Sequence, residues 1–280
     1  MDAIGRILAR SLSAHLKETV IVSNVAGATG RRAAVQVAHA RPDGRTLLMG
    51  TSATHAIAPS VFPRLSYRPD QDFTAVGSVC STRLLLVANP AFEARSLEGL
   101  IAVSQAASLP LLYGSWGTGS GGHLVAEAIR LHRGIDLSHV PYQGIGPMMQ
   151  DLLGGQIPLA VSDMAGALAL AREGKVIPLV ISGTSRYPQL PQVATLAESG
   201  VPFTTESWCA LFAPARTPGP VLARLESALR AALAEVSVQQ ALRVLGYESE
   251  PLGREVFLRQ WQLDIAAWRR IVVATGIRLD

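Results

Sequence analysis

The sequence predicts an α/β fold in which strands and helices alternate along the chain. Short, continuously apolar runs such as 84–88 and 157–162 are typical of strands buried on both faces. Segments with apolar residues at helical spacing lie between them, and polar loops follow several of the strands. The pattern therefore indicates parallel sheets covered by helices on both faces. With 280 residues, 49% of them apolar, the chain can bury one large or two medium cores.

The first two thirds of the chain predict three helices and several strands. An amphipathic helix begins almost at the first residue, with Ile4, Leu8 and Leu12 on one face. A β-branched run at 19–23 predicts a strand, and the turn at 27–30 opens a helix that reaches about Ala40. Ser96 is in position to cap a helix over Leu97–Ala106. Further strands are predicted at 46–50, 84–88, 109–113, 137–142, 157–162, 176–182 and 208–213.

The last third of the chain predicts two long helices. Thr217 followed by Pro218 is a favourable helix start, with a hydroxyl cap and a proline in the first turn. A final helix over 254–275 carries an aromatic stripe that includes Phe257, Trp261 and Trp268, and Gly276 ends it. Stripes of this kind are more often core contacts than cofactor sites.

Composition argues against several classes of function. The net charge is +4, but the charges are dispersed and only 5% of residues are aromatic, which disfavours a nucleic-acid partner. Cys80 and Cys209 are too few for a disulfide framework or a cysteine-based zinc site, and both are predicted to be buried free thiols. No apolar stretch reaches the 18 or more residues of a membrane-spanning helix.

The Gly-rich loop from Tyr113 to His123 predicts an anion site. It lies between a strand and a helix start, where free backbone N–H groups and the helix dipole favour negative charge. Gly117–Gly122 also matches the dinucleotide motif G-x-G-x-x-G, but the acidic Asp136 precedes the next strand instead of following it. A tight turn that merely requires glycine is a further alternative. A small carboxylate fits best, because three hydroxyls lie in the loop, those of Ser115, Thr118 and Ser120.

Three other loops follow predicted strands and are rich in small polar residues: 51–55, 142–146 and 162–166. Open α/β sheets bind ligands at such strand ends. The loops contain no motif of a hydrolase, a metalloprotease or a carboxylate pair. His55 and His123 are more typical of hydrogen-bond donors than of catalysts, and Asp163 is either a helix cap, a ligand contact or both.

Five segments resemble one known family in order and spacing. They are Ala40–Pro59, Tyr113–Leu124, Val140–Gly144, Asp151–Ile157 and Leu190–Gly200. Together they resemble the Bug family, the substrate-binding proteins of tripartite tricarboxylate transporters. The resemblance implies a two-lobed periplasmic binding protein of type II, with a ligand cleft between α/β lobes. It also implies a small carboxylate as ligand, membrane transporter subunits as partners, a periplasmic location, no cofactor, no chemistry and a monomeric state.

The resemblance and the loops together predict the binding residues and the lobes. Three residues are expected to face the ligand from the first lobe: Ser52, Thr54 and His55. The second lobe is expected to clamp a carboxylate with Ser115, Thr118, Gly119 and Ser120, and to place Gln143, Gly144 and Asp163 at the far end of the ligand. Lobe 1 would combine 1–88 with 212–280 and lobe 2 would span 89–211, with crossings near Val87–Pro90 and Leu211–Pro214.

The chain departs from the family pattern at its start. Members usually begin with a signal peptide, a strand and a Pro- and Gly-rich loop, whereas this sequence starts at the helix that follows them. We expect a version extended upstream by that strand and loop to be more stable or to bind more tightly, and the upstream frame to encode a secretory signal. A metabolite sensor and a nucleotide-dependent enzyme using Gly117–Gly122 remain the alternative functions.

Overall fold

The structure, a computed structural model, describes residues 1–249 and 251–277. The chain forms two compact units, one of residues 1–81 with 208–269 and the other of residues 82–207 with 270–277. We refer to them as unit 1 and unit 2. The lobe boundaries expected from the sequence, 1–88 with 212–280 and 89–211, stay a prediction.

Helices and strands alternate in the order that the sequence pattern indicates. The helices are α1 (Asp2–Leu16), α2 (Arg31–Ala38), α3 (Ala58–Val61), α4 (Pro69–Asp72), α5 (Leu97–Ala106), α6 (Gly121–Arg133), α7 (Ile145–Leu153), α8 (Met164–Arg172), α9 (Gly219–Ala234), α10 (Val236–Val244) and α11 (Arg254–Thr275), with short turns at Ala28–Gly30 (3-10) and Ala53–Ile57 (π-helical). The strands are β1 (Leu48–Thr51), β2 (Phe73–Thr82), β3 (Leu84–Ala88), β4 (Leu111–Ser115), β5 (Leu137–Pro141), β6 (Leu159–Asp163), β7 (Ile177–Ile181) and β8 (Ser207–Pro214).

Unit 1 contains a sheet with the strand order β1-β8-β2. Strand β1 is antiparallel to β8, and Thr51 lies opposite Cys209. The apolar faces of α1, α9 and α10 pack into a core with these strands, for which Ile4, Leu8, Leu229 and Leu242 supply fully buried side chains. The predicted apolar face of the first helix is therefore a packing face.

Unit 2 contains a sheet with the order β5-β4-β6-β3-β7. Strand β4 is parallel to β5 and β6, whereas β3 is antiparallel to β6 and β7. The all-parallel arrangement expected from the sequence is therefore wrong for β3, as it is for β1 and β8. Strand β3 follows β2, a strand of the other sheet, after the single residue Arg83, and it pairs with β6 and β7, which come later in the chain. A continuous apolar run is typical of a buried strand but does not determine its direction.

Two local predictions are wrong. Residues 19–23 are extended but form no strand, and the side chain of Ile21 is 83% exposed. A strand requires a neighbour that completes its hydrogen-bond ladder, and a β-branched run alone does not supply one. Thr217 does not cap α9, because Pro218 occupies the N-cap position and the Thr217 hydroxyl donates to the carbonyl of Pro214 at 2.7 Å.

Several other local predictions are confirmed. Ser96 caps α5, and its hydroxyl accepts the Gly99 N–H at 3.1 Å. The aromatic stripe of α11 is buried, as are both free cysteines. Gly276 has a φ of +68°, a left-handed conformation that suits glycine at a helix end.

Candidate functional site

Three loops of unit 2 lie at one edge of its sheet. Strand β4 pairs in parallel with β5 on one side and β6 on the other, so the carboxyl ends of all three strands meet at the same edge. The loops that start there are the Gly-rich loop 115–120, the β5–α7 loop at 142–144 and the β6–α8 junction at Asp163. Seven predicted binding residues are thereby brought to one edge: Ser115, Thr118, Gly119, Ser120, Gln143, Gly144 and Asp163.

Several backbone N–H groups of the Gly-rich loop already donate hydrogen bonds within the loop or to His123. The N–H of Gly119 donates to Nδ1 of His123 at 3.0 Å, and the N–H of Gly117 donates to the hydroxyl of Ser115 at 3.3 Å. The N–H of Ser120 donates to the carbonyl of Gly117 at 3.1 Å. The N–H of Gly119 is therefore not the free ligand donor that the sequence led us to expect, because His123 already accepts it.

Other donors at the start of α6 are free. Among the described residues, none accepts a hydrogen bond from the N–H groups of Thr118, Gly121 or Gly122. The first amides of a helix have no intrahelical acceptor, and together with the helix dipole they favour an anion. The sequence analysis placed the donors in the loop itself and missed Gly121 and Gly122, although the predicted helix start pointed to them.

The hydroxyls of the loop form a buried chain. Ser120 Oγ donates to Ser115 Oγ at 3.2 Å, and both side chains are fully buried. Ser120 also caps α6 by accepting the His123 N–H at 3.3 Å. Ser115 and Ser120 thus shape the loop, and their direct contact with a ligand stays a prediction.

Glycine is required where the loop meets its helix. A Cβ on Gly122 would lie 2.6 Å from the ring of Trp116, closer than side chains approach in folded proteins. The Trp116 ring therefore lies directly over the first turn of α6. This close approach explains one glycine of the motif without any ligand.

A polar cluster lies beside the loop, between α6 and the strands. The rings of His123 and His139 stack with centroids 4.1 Å apart and an angle of 10° between their planes, and Nε2 of His139 is 2.7 Å from Ser115 Oγ. Burial lowers the pKa of both histidines to about 4. On the far side of His139, the hydroxyl of Tyr113 donates to Glu127 at 3.1 Å, and burial raises the pKa of Tyr113. The sequence analysis treated His123 as a donor, but its Nδ1 is an acceptor, and it did not single out His139.

The other predicted binding residues of unit 2 differ in whether their polar groups already have hydrogen-bond partners. The side chain of Gln143 is exposed, and Gly144 has a φ of +122°, with open space where a Cβ would point. Asp163 caps α8 by accepting the Gly166 N–H at 2.9 Å, as one of its two predicted roles required. Beside it, the buried hydroxyl of Ser162 has no hydrogen-bond partner among the described residues, a feature that the sequence analysis did not identify.

In unit 1 the predicted binding residues follow β1 and enter a π-helical turn. Ser52, Thr54 and His55 are all buried. The turn is held by side chains, since Tyr67 donates to the carbonyl of Thr54 at 2.7 Å and Trp261 Nε1 donates to the carbonyl of His55 at 2.8 Å. Backbone groups that the irregular turn leaves open are satisfied in this way.

His55 lies in an aromatic cage. Its side chain is 0% exposed and packs against the rings of four residues: Tyr67, Phe73, Phe212 and Trp261. Burial lowers the pKa of His55 to about 3, so the ring is neutral at pH 7. The structure gives His55 a packing position, and contact between its ring and a ligand stays a prediction.

Within the described residues, no group of three or more His, Cys, Asp or Glu side chains is arranged to hold a metal ion. None of the helices in the described part of the chain combines the length and the apolar character needed to cross a bilayer. What the loops of unit 2 offer is a set of uncharged donors suited to an anion.

The fold places the chain in a class of known structures. It superposes on an R. palustris protein solved with adipate (TM-score 0.92, 31% identity, covering 99% of this chain and 93% of that one). The periplasmic binding protein BugD superposes equally well (TM-score 0.91, 29% identity, 99% and 93% covered). The predicted α/β fold of the two-lobed periplasmic binding proteins is therefore confirmed.

The sequence comparison narrows that class to one family. Residues 4–277 match the tripartite tricarboxylate transporter family receptor, TctC, and the chain belongs to this family. Its relatives include BugT of Bordetella pertussis, which is 32% identical over 283 residues, 99% of this chain and 86% of BugT. MatC from Rhodopseudomonas palustris, solved with bound malate, is 34% identical (TM-score 0.88, 97% and 94% covered). The predicted membership of the Bug family is confirmed.

Proposed function

We propose that the chain is a solute-binding protein that captures a small organic acid, without chemistry, for a transporter of the tripartite tricarboxylate type. The observation that carries the proposal is the uncharged donor set at the start of α6, formed by the N–H groups of Thr118, Gly121 and Gly122. A carboxylate that accepts two or three such bonds needs no paired arginine. Family membership and the adipate and malate found in two similar structures support this reading.

The other loops at the same sheet edge fit the far end of a short ligand. Gln143 offers an exposed amide, and Gly144 leaves room beside it. Asp163 is the acidic residue of this edge and could accept a ligand ammonium as well as cap its helix. The proposed ligand is therefore a small organic acid or, through Asp163, an acidic amino acid. From unit 1 we keep Ser52, Thr54 and His55 as proposed contacts.

A periplasmic location, partnership with membrane subunits of the transporter and a monomeric state belong to the same proposal. The family description and the name of the related periplasmic protein BugD support the location and the partnership, and the monomeric state is an expectation from the family resemblance. A metabolite sensor would bind the same ligand but pass the signal to another partner. Uptake by cells that carry or lack the gene distinguishes the two functions.

A thermal-shift screen tests the ligand class directly. The panel contains adipate, malate, citrate, aspartate, glutamate and NAD, each at increasing concentration. A true ligand stabilises the fold by about 2.7 kcal/mol at a hundredfold excess over Kd. Stabilisation by NAD alone would contradict the proposal and favour a nucleotide-dependent enzyme. The Gly-rich loop does lie between a strand and a helix, as that motif requires, but β5 ends at Pro141 without an acidic residue.

Asp163→Asn tests the choice between the two acids. The amide keeps an oxygen for the helix cap and removes the negative charge. We expect Asp163→Asn to weaken aspartate and glutamate about tenfold or more if Asp163 pairs with their ammonium group, and to leave malate and adipate within about threefold. Unchanged affinity for every acid, measured by calorimetry, would show that Asp163 acts as a cap only.

A further inference from the structure

The stacked histidines of unit 2 are connected to the Gly-rich loop by two separate hydrogen bonds. His123 lies in the first turn of α6 and His139 lies in β5. One ring bonds the backbone of Gly119, and the other bonds the hydroxyl of Ser115. Both ends of the loop are therefore held by imidazole groups.

The bond to Gly119 fixes the proton of His123. A backbone N–H can only donate, so Nδ1 of His123, 3.0 Å away, must be the acceptor. The neutral ring then carries its proton on Nε2. A second proton would enter at Nδ1 and face the N–H of Gly119, donor against donor. The loop bond and a charged His123 are thus mutually exclusive.

The bond to Ser115 controls the other end of the loop. Nε2 of His139 is 2.7 Å from Ser115 Oγ, which in turn accepts the hydroxyl of Ser120 at 3.2 Å. Ser120 caps α6. The position of His139 is therefore transmitted through two hydroxyls to the helix start where the free amides lie.

Among the described residues, the acidic groups on the elements packed around the pair are Glu127 and Asp163, and both already have partners. Glu127 of α6 accepts the Tyr113 hydroxyl of β4 and pairs with Arg130 at 2.7 Å, so its charge is already compensated. Strand β3 has no titratable residue, and β6 ends in Asp163, which caps α8. Burial is the main cause that lowers the pKa of each histidine, and for His139 the neighbouring His123 adds to it while Glu127 opposes it.

We propose that His123 and His139 are positioning residues, which hold the Gly-rich loop in its anion-binding conformation, and that this requires a neutral ring at His123. The identity of the ligand in this proposal rests on the proposed function, whereas the effect of the histidines on the loop does not depend on it. Protonation of His123 removes the bond from the Gly119 N–H, and protonation of both rings places two like charges in stacked rings. Carboxylate binding is then lost together with loop order as the pH falls.

The direction of the pH effect follows from the pKa values. Both are lowered from 6.5 to about 4, so the rings are neutral at pH 7 and become charged only in acid. The loop should therefore be intact above about pH 5.5 and should open as the pH falls through about 4.

The first experiment follows the loop without any ligand. The full chain, labelled with ¹⁵N, is titrated by NMR from about pH 7.5 to about pH 3, a range that extends about one unit below the lowered pKa of His123. We expect the amide signal of Gly119 and the ring signals of His123 to shift together, with one midpoint below about pH 5. His123→Asn is the matched variant, because the Asn carbonyl oxygen can replace Nδ1 as acceptor but does not titrate. Its Gly119 signal should stay in place.

The second experiment measures binding with malate as the probe. At about pH 7.5, we expect His123→Asn to bind within about threefold of the unmodified chain, and His123→Ala to bind about tenfold more weakly, since a buried N–H loses its acceptor. Between about pH 7.5 and about pH 3.5, malate binding should weaken by a further fourfold or so in the unmodified chain relative to His123→Asn, because a pKa of about 4 leaves about three quarters of His123 protonated at the lower pH. That comparison cancels the titration of malate itself, and it still decides the question if His123→Ala does not fold.

Two results would overturn the proposal: a Gly119 signal that shifts equally in His123→Asn, or a His123 ring that titrates above about pH 6 in the unmodified chain. If no acid binds but Gly119 and His123 titrate together, the positioning role stands and the proposed function fails. If malate binds but Gly119 does not respond to His123, the reverse holds.

Discussion

At the scale of single residues, three buried histidines, His55, His123 and His139, are held in neutral form by the packing around them. His55 has four aromatic neighbours, and its Nε2 finds no partner among the described residues. Its Nδ1 lies 2.8 Å from the hydroxyl of Thr54. A charged imidazole in such a cage would lose its hydration without a compensating anion, so the ring does not take up a second proton and stays neutral.

The lowered pKa of His55 predicts that the free energy of unfolding depends on pH. The pKa of His55 is lowered from 6.5 to about 3, so its contribution is complete above about pH 6.5 and is lost as the pH falls toward about 3. Between about pH 6 and about pH 4, the free energy of unfolding should fall by about 1.4 kcal/mol per pH unit on account of this one residue. Urea denaturation of the unmodified chain and of His55→Gln measures it.

His55→Gln separates the effect of histidine titration on stability from the effect of packing. His55→Gln should be less stable at pH 7 by about 1–3 kcal/mol, because it disrupts the aromatic cage. Its free energy of unfolding should nevertheless fall less steeply in acid, because unfolding takes up about one proton fewer than in the unmodified chain. Plotted against pH, the free energies of the two proteins should run parallel between about pH 7 and about pH 8. Equal slopes throughout would mean that His55 is charged in the folded state.

A pair of glycines tests whether Trp116 holds the loop against α6. Gly122→Ala would place a methyl group 2.6 Å from the Trp116 ring, whereas Gly146→Ala in α7 meets open space. We expect Gly122→Ala to cost about 1–3 kcal/mol through overpacking, and Gly146→Ala to be neutral or to stabilise by up to about 1 kcal/mol. Thermal and urea denaturation give both values, and a Gly122→Ala chain of unchanged stability would show that the ring moves freely.

At the scale of elements, side-chain caps could be recognised from the sequence where a helix start follows a loop directly. Ser96 was placed correctly, and the capping role of Asp163 was one of two alternatives. Thr217 was not, because a proline at the next position moved the helix start onward. Strand direction could not be predicted, because the composition of β3 is that of any buried strand and contains no information on direction.

The Ser96 cap gives a measurable contribution. Ser96→Ala removes the acceptor for the Gly99 N–H and should lower the free energy of unfolding by about 1 kcal/mol. Ser96→Asp keeps an acceptor and adds a favourable charge at the N-terminus of α5, so it should be neutral or stabilising. Faster hydrogen exchange over 97–106 in the alanine variant alone would locate the effect, and equal exchange in both variants would contradict it.

At the scale of the whole molecule, the sequence predicted the alternation of elements and the family but not the hydrogen bonds and ring contacts within the site. The loops at the ends of β4, β5 and β6 were predicted because glycine, serine and threonine cluster there. The burial of His55 and the stacking of His123 on His139 depend on rings contributed by other segments, such as Phe212 and Trp261 for His55. A local pattern contains no information on such contacts.

Each unit has its own apolar core, which predicts that core damage is confined to the unit that carries it. Leu229 is buried in the core of unit 1 and Leu152 in that of unit 2. Replacing either by alanine removes a buried isobutyl group and should cost about 2–5 kcal/mol. Leu263→Ala is the surface control, since its side chain is 65% exposed, and should change stability by less than about 0.5 kcal/mol. Hydrogen exchange should show Leu229→Ala lowering protection in β8 and α9, and Leu152→Ala lowering it in β4 and β6. If either variant lowered protection equally in all four elements, the two cores would unfold as one.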